Sequence, residues 1–195
     1  MPEADGLPEH DHDTDSIRRR LYAGPRPSYL RDWIYGGIDG AVTTFAVVAG
    51  ALGGALSESV IIILGLSNLV ADGLSMAAAN FAGTRAELDN RARLRAIEQR
   101  HIRLAPEGER AEIREIYREK GFTGDDLERA VDVITADRER WIATMLSEEY
   151  GLADAPPHAW GAALSTFIAF VLCGFVPIAP FVFGVPHPLL LSVVL

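Results

Sequence analysis

With 195 residues, a net charge of −9 and a pI near 5.0, the chain lacks the basic surplus that nucleic-acid binding demands, which excludes nucleic acid as a partner. Its single cysteine, Cys173, excludes an intrachain disulfide and reads as a packing residue. All 18 Lys and Arg fall in residues 1–31 or 84–158, while stretches 33–83 and 159–195 hold only Asp39, Glu58 and Asp72 as charged residues, the pattern of a membrane protein carrying a soluble insert.

Residues 1–31 contain no apolar core of signal-peptide length and read as a disordered tail; their "EHDHD" reads as a solvated acidic run rather than a metal motif. Residues 32–83 hold two spans. The runs 33–57 and 59–83 both exceed the about 20 residues that a helix needs to cross a bilayer.

In the first run, "YGGIDGAVTTFAVVAGALGG", Gly36, Gly40 and Thr43 share a helical face with Asp39 beside them, and Gly37, Gly50, Gly53 and Gly54 add to the scope for close helix approach. In the second, Asn68, Asp72, Met76 and Asn80 follow one another at intervals of four, a drift of only about 40° per step. Intramembrane acids are costly and commonly mark an ion or proton route, a reading that outweighs protonated acids merely bonding across helices. Oxygen donors with one thioether suit Fe²⁺ or Mn²⁺ better than Na⁺ or K⁺, although Met76 alone would read as packing.

Residues 84–158 form a charged insert with 13 basic and 17 acidic residues, a net charge of 13 − 17 = −4. Its pattern predicts three helices: Ala86 to Arg103, Glu107 to Lys120 capped by Gly121, and one from Thr123 to Tyr150 ended by Gly151. Glu98-x-x-His101 on the first, Glu109-x-x-Glu112 followed by Glu115 on the second, and Met145 with Glu149 on the third are spaced to share helical faces. Together they could assemble a multi-carboxylate cation site, though each pair singly reads as solvated surface.

Residues 159–195 supply a third span, 159–183, and the start of a fourth near His187 that is too short to cross, so the sequence reads as C-terminally truncated. Pro177 and Pro180 in "CGFVPIAPFVFG" should kink or break the third span. The arginines at 18, 19, 20, 26 and 31 and at 85, 91, 93 and 95, with none in the link around residues 56–59, place the N-terminus and the insert in the cytoplasm. Trp33, Tyr35 and Trp160 sit near the boundaries as interfacial anchors. The expected fold is all-α: a polytopic membrane helix bundle with a three-helix cytoplasmic insert between its second and third spans.

The segments "YGGIDGAVTTFAVVAG", "GLSNLVADGLSMAAANFAGTRAE", "EIREIYREKGF", "MLSEEYGL" and "GFVPIAPF", in that order, resemble the vacuolar iron transporter family over residues 29–195. The resemblance implies a five-helix membrane fold, a homodimer with the ion route at its interface, and proton-coupled export of Fe²⁺ or Mn²⁺ from the cytosol. It carries route-lining roles onto Asp39 and Met76, and a cytoplasmic metal platform onto Glu98, Glu109, Glu112 and Glu149 with Met145 nearby. His101 stands where the family leads one to expect glutamate, and Asn80 where many members carry one. The metal is cargo, and no prosthetic group is expected. Abundant Ala, Arg and Gly suggest a bacterial inner membrane. The alternative is a membrane-tethered ferritin-like di-iron oxidase or a metal-binding protein, but Glu98-x-x-His101 supplies only half of the di-iron signature.

Overall fold

The computed structural model describes residues 11–24, 27–152 and 158–185, and all regular structure among them is helical. A first helix, α1 (Thr14–Ala23), lies within the segment expected to be disordered. The reason is a local cap: the Asp13 carboxylate accepts from the backbone N–H of Asp15 and Ser16, both at 3.0 Å, satisfying donors a helix start would leave orphaned. The Glu9 and His10 of "EHDHD" and the expected fourth span lie outside the described residues.

Helix α2 (Leu30–Gly53) and helix α3 (Glu58–Leu104) are both long and apolar enough to cross a membrane. The second span and the first insert helix, expected as separate elements, are one helix of 47 residues. Between Ala82 and Arg91 the composition turns from apolar to charged without a proline or a glycine beyond Gly83, so nothing interrupts the backbone ladder.

The insert continues with α4 (Pro106–Glu119), α5 (Gly124–Thr135) and α6 (Arg138–Glu148). Gly121 takes the left-handed conformation expected of it, with φ 95°, and passes the chain to α5. The helix expected from Thr123 to Tyr150 divides at Asp137, which leaves helical geometry and caps α6 by accepting from Arg140 N–H at 2.8 Å. Ile113, Leu127, Val131, Ile134, Trp141 and Met145 form a separate core for this unit.

Helix α7 (Ala159–Phe175) is 17 residues long, and the chain breaks after it into a turn before the four-residue α8 (Ala179–Val182), as the two prolines predict. Helices α2, α3 and α7 form a bundle that is apolar on its outside as well as in its core. Val48, Ile61, Leu69, Phe170 and Ile178 fill the core and Gly36, Gly40, Thr44, Gly65, Gly73, Ala162, Ala163 and Thr166 are buried in the same bundle, whereas Ile38, Val42, Ile63, Val70, Leu164 and Leu172 are 57–63% exposed. Small buried residues and large apolar ones outside suit hydrocarbon as solvent.

A Cβ on Gly36 would lie 2.4 Å from the Thr166 carbonyl oxygen, and one on Gly40 would lie 2.3 Å from that of Phe170. Steps of four on α2 thus match steps of four on α7 in the same direction. The two helices run parallel in backbone contact, so the insert leaves and re-enters the bundle at one end.

Candidate metal site

The insert's carboxylates divide into two groups. One is neutralised: Arg114 grips Glu128 through two bonds of 2.7 and 2.9 Å, Lys120 reaches Glu148 at 2.6 Å, and Arg95 with Glu139 and Arg110 with Asp132 join α3 to α6 and α4 to α5. The Arg114 guanidinium holds Glu128 below the ordinary carboxylate range. Among the carboxylates that meet no lysine or arginine within the described residues, Glu98, Glu109, Glu112 and Glu149 are set apart because their charges act on one another.

Glu98, on α3, is 1% exposed, and Glu109, in the first turn of α4, is 5% exposed. Tyr150 donates its hydroxyl to Glu98 Oε1 at 2.9 Å, and His101 Nδ1 stands 3.2 Å from Glu109 Oε1. The second oxygen of each carboxylate, Oε2 of Glu98 and of Glu109, is buried without a hydrogen-bond partner. A buried charged acceptor with nothing to accept from is costly, and burial of two that repel each other is costlier.

The electrostatics record that repulsion. Burial pushes Glu109 up to about 7, aided by the charges of Glu112, Glu98 and Glu149. Glu149, where α6 ends, is raised chiefly by burial and then by Glu98 and Glu112. Burial and the bond to Glu98 likewise raise Tyr150. Among the described residues no group of three or more His, Cys, Asp or Glu side chains forms a ready-made metal cage, and a side-chain hydrogen bond with Glu98 adds to the upward shift of Glu109.

Two expected insert ligands have other surroundings as well. Glu115 pairs with Arg118 on the solvated face, because steps of three retreat about 60° each and two of them turn Glu115 some 120° away from Glu109. Met145 is fully buried in the insert core, where it packs with Trp141 and Ile113.

In the bundle, the four-residue stripe on α3 winds from inside to outside and back. Asn68 donates to Thr44 Oγ1 at 3.2 Å, Asp72 is exposed, Met76 is half-buried against the core, and Asn80 turns inward. Thr43 bonds back to the Asp39 carbonyl at 2.7 Å, and Asp39 itself is half-buried beside the exposed Ile38.

Sequence reasoning passes over Asp32, which stands between the charged tail and the first apolar run. It is 4% exposed and accepts from Asn80 Nδ2 at 3.0 Å, while the same amide reaches Thr166 Oγ1 at 2.6 Å and the Ala162 carbonyl at 3.2 Å. Its position four residues before Gly36 on the Gly36–Gly40–Thr44 face was the available signal. Asp32, Asn80, Thr166 and Met76 line a cavity of about 310 Å³ together with Arg31, Tyr35 and Ala79. Asn80→Ala should therefore destabilise the bundle by about 2 kcal/mol or more, since it leaves a buried carboxylate and a buried hydroxyl without their donor. Thermal unfolding in detergent measures this, and an unchanged midpoint would show that the network carries no weight.

The profile of the VIT family matches residues 30–195. Among similar proteins, a vacuolar iron transporter of Toxoplasma gondii is 35% identical over 159 residues, 79% of this chain and 52% of its own length. Vacuolar iron transporter 1 of Arabidopsis thaliana is 32% identical over 178 residues, covering 91% of this chain and 68% of its own length. Vacuolar iron transporter 1 of Eucalyptus grandis is 32% identical over 155 residues, 79% of this chain and 62% of its own. The chain thus spans between about half and two thirds of the length of these relatives. With residues 30–195, about five-sixths of its length, matched by this one profile, the chain belongs to the VIT family.

Proposed function

We propose that the protein is a divalent transition-metal transporter that gathers Fe²⁺ or Mn²⁺ from the cytosol on its insert and exports it, in exchange for protons, through the membrane. The observation that carries this reading is the pair of buried, unpartnered carboxylate oxygens on Glu98 and Glu109, held among Glu112, Glu149 and His101. Hard oxygen donors with one imidazole favour a divalent first-row metal over an alkali cation.

The membrane step rests on the bundle. Asp72 places an exposed carboxylate and Asp39 a half-buried one among apolar side chains, where they need a polar partner once lipid surrounds the chain. A second copy of the chain supplies that partner, so the working unit in this reading is a homodimer with Asp39 and Met76 along the route. Charge segregation favours cytoplasmic placement of the insert, and composition favours a bacterial inner membrane.

Mn²⁺ uptake into proteoliposomes with an acidic interior tests this function, with Asp39→Ala as the decisive variant; undiminished uptake by that variant would remove Asp39 from the route. Binding to the insert should also depend on pH with a defined sign. Below about pH 7 Glu109 keeps a proton that an incoming cation must displace, so Mn²⁺ affinity should fall about tenfold per unit of acidification.

The same shift governs metal-free stability. The folded pKa of Glu109, about 7, exceeds its ordinary 4.5, so its contribution is complete below about 4.5 and is lost as pH rises through 7. Melting of the metal-free protein should therefore fall between those pH values, and added Mn²⁺ should restore most at the alkaline end. A flat profile from calorimetric titration across that range would contradict the proposed site.

A further inference from the structure

Neither the bundle nor the insert accounts for α1. None of its 10 residues is buried, and Leu21 and Tyr22 are 72% and 86% exposed. Arg18, Arg19 and Arg20 occupy its middle, and among the described residues no carboxylate pairs with any of them. Arg19 bonds only within its own helix, to Ser16 Oγ at 3.1 Å and the Asp15 carbonyl at 3.4 Å. In the insert Arg95, Arg110, Arg114 and Arg118 meet acids, and Arg138 and Arg140 bond carbonyls of other segments, whereas Arg19 reaches nothing beyond its own helix. Three unneutralised cations in a row, in a chain of net charge −9, point to a negative surface outside the chain.

The helical geometry says which kind. Ile17 and Leu21, four apart, form a short apolar stripe, and steps of about 100° put Arg18 on one side of it and Arg20 on the other. This is the cross-section of a helix lying in an interface, with apolar side chains directed down and long cationic ones reaching sideways to headgroups. The tether leaves it little choice of location. Only residues 24–29 separate α1 from α2, a reach of at most about 20 Å, and α2 begins beside Trp33 and Tyr35.

We propose that α1 lies on the cytoplasmic leaflet and binds anionic lipid headgroups through Arg18 and Arg20, with Ile17 and Leu21 inserted beneath them. The proposal rests on α2 being a membrane span, and the experiment separates the two. The full chain, with Cys173→Ala removing its native thiol, receives an environment-sensitive fluorophore at Leu21→Cys or, two residues and about 200° away, at Ala23→Cys. Both proteins are reconstituted in vesicles of phosphatidylcholine with or without phosphatidylglycerol.

Flotation that survives alkaline carbonate tests the span alone. Given that, the Leu21 probe should be blue-shifted and shielded from acrylamide only in vesicles containing phosphatidylglycerol, while the Ala23 probe stays accessible. The shielding should vanish with Arg18→Gln and Arg20→Gln together, and in about 1 M salt, where the screening length is about 3 Å. Equal quenching in both lipids overturns the proposal, as does shielding that survives high salt or the double substitution, which would mark an apolar contact within the protein. Failure to float would instead overturn the span.

Discussion

Replacing Glu98 with glutamine is expected to raise the melting temperature of the metal-free protein while lowering its Mn²⁺ affinity by about 100-fold, or ~2.7 kcal/mol. Glutamine keeps an oxygen for the Tyr150 hydroxyl, which now bonds Glu98 Oε1 at 2.9 Å. Its amide nitrogen replaces an oxygen that is buried without a partner, next to a second such oxygen on Glu109. A repulsion becomes a donor–acceptor pair, a gain of about 1–3 kcal/mol. The metal loses an anionic ligand and the negative field that drew it. Stability and affinity moving in opposite directions is the signature of a site held under strain for function. Isothermal titration with Mn²⁺ alongside thermal unfolding reads both quantities; a fall in stability together with intact binding would place Glu98 in the fold rather than the site.

The second large effect concerns the contact between α2 and α7. Gly40→Ala should destabilise the bundle by about 3 kcal/mol or more, because the new methyl group would meet Phe170 backbone atoms at 2.3, 2.8 and 2.9 Å, and backbone cannot rotate aside. The helices would have to separate, carrying Asp39 with them. Gly50→Ala, in the same helix, meets nothing within 4 Å and should be neutral or stabilising by about 0.5–1 kcal/mol. Unfolding of the two variants in the same detergent gives the comparison, and equal midpoints would refute the close approach.

Charge segregation and run length made the all-helical class and two helices long and apolar enough to cross a membrane legible in the sequence, because both follow from the cost of charge in hydrocarbon. Pairing within the site was legible only in part. The Glu98 and Glu109 spacings could be read, but their burial depends on how α3 and α4 cross, which no local pattern records. Glu115 was included because steps of three look collinear over one turn, although they diverge over two. The two larger departures have a common cause: a helix ends where a cap is made, and caps are local side-chain events. Asp13 started a helix in an acidic tail, and Asp137 divided a run that periodicity alone would have continued.

The uninterrupted α3 has a mechanical meaning. From Asn80 to Glu98 is 18 residues, which at 3.6 per turn is five whole turns and about 27 Å, so the two side chains project from one side of a single rod. Asn80 is bolted to α2 and α7 through Asp32 and Thr166, and Glu98 to α6 through Tyr150 just beyond it. Any roll or tilt of the rod that repositions one end must repeat at the other. Under the proposed function, one continuous helix would join metal binding at Glu98 to the cavity that Asn80 lines, with the helix as the shaft.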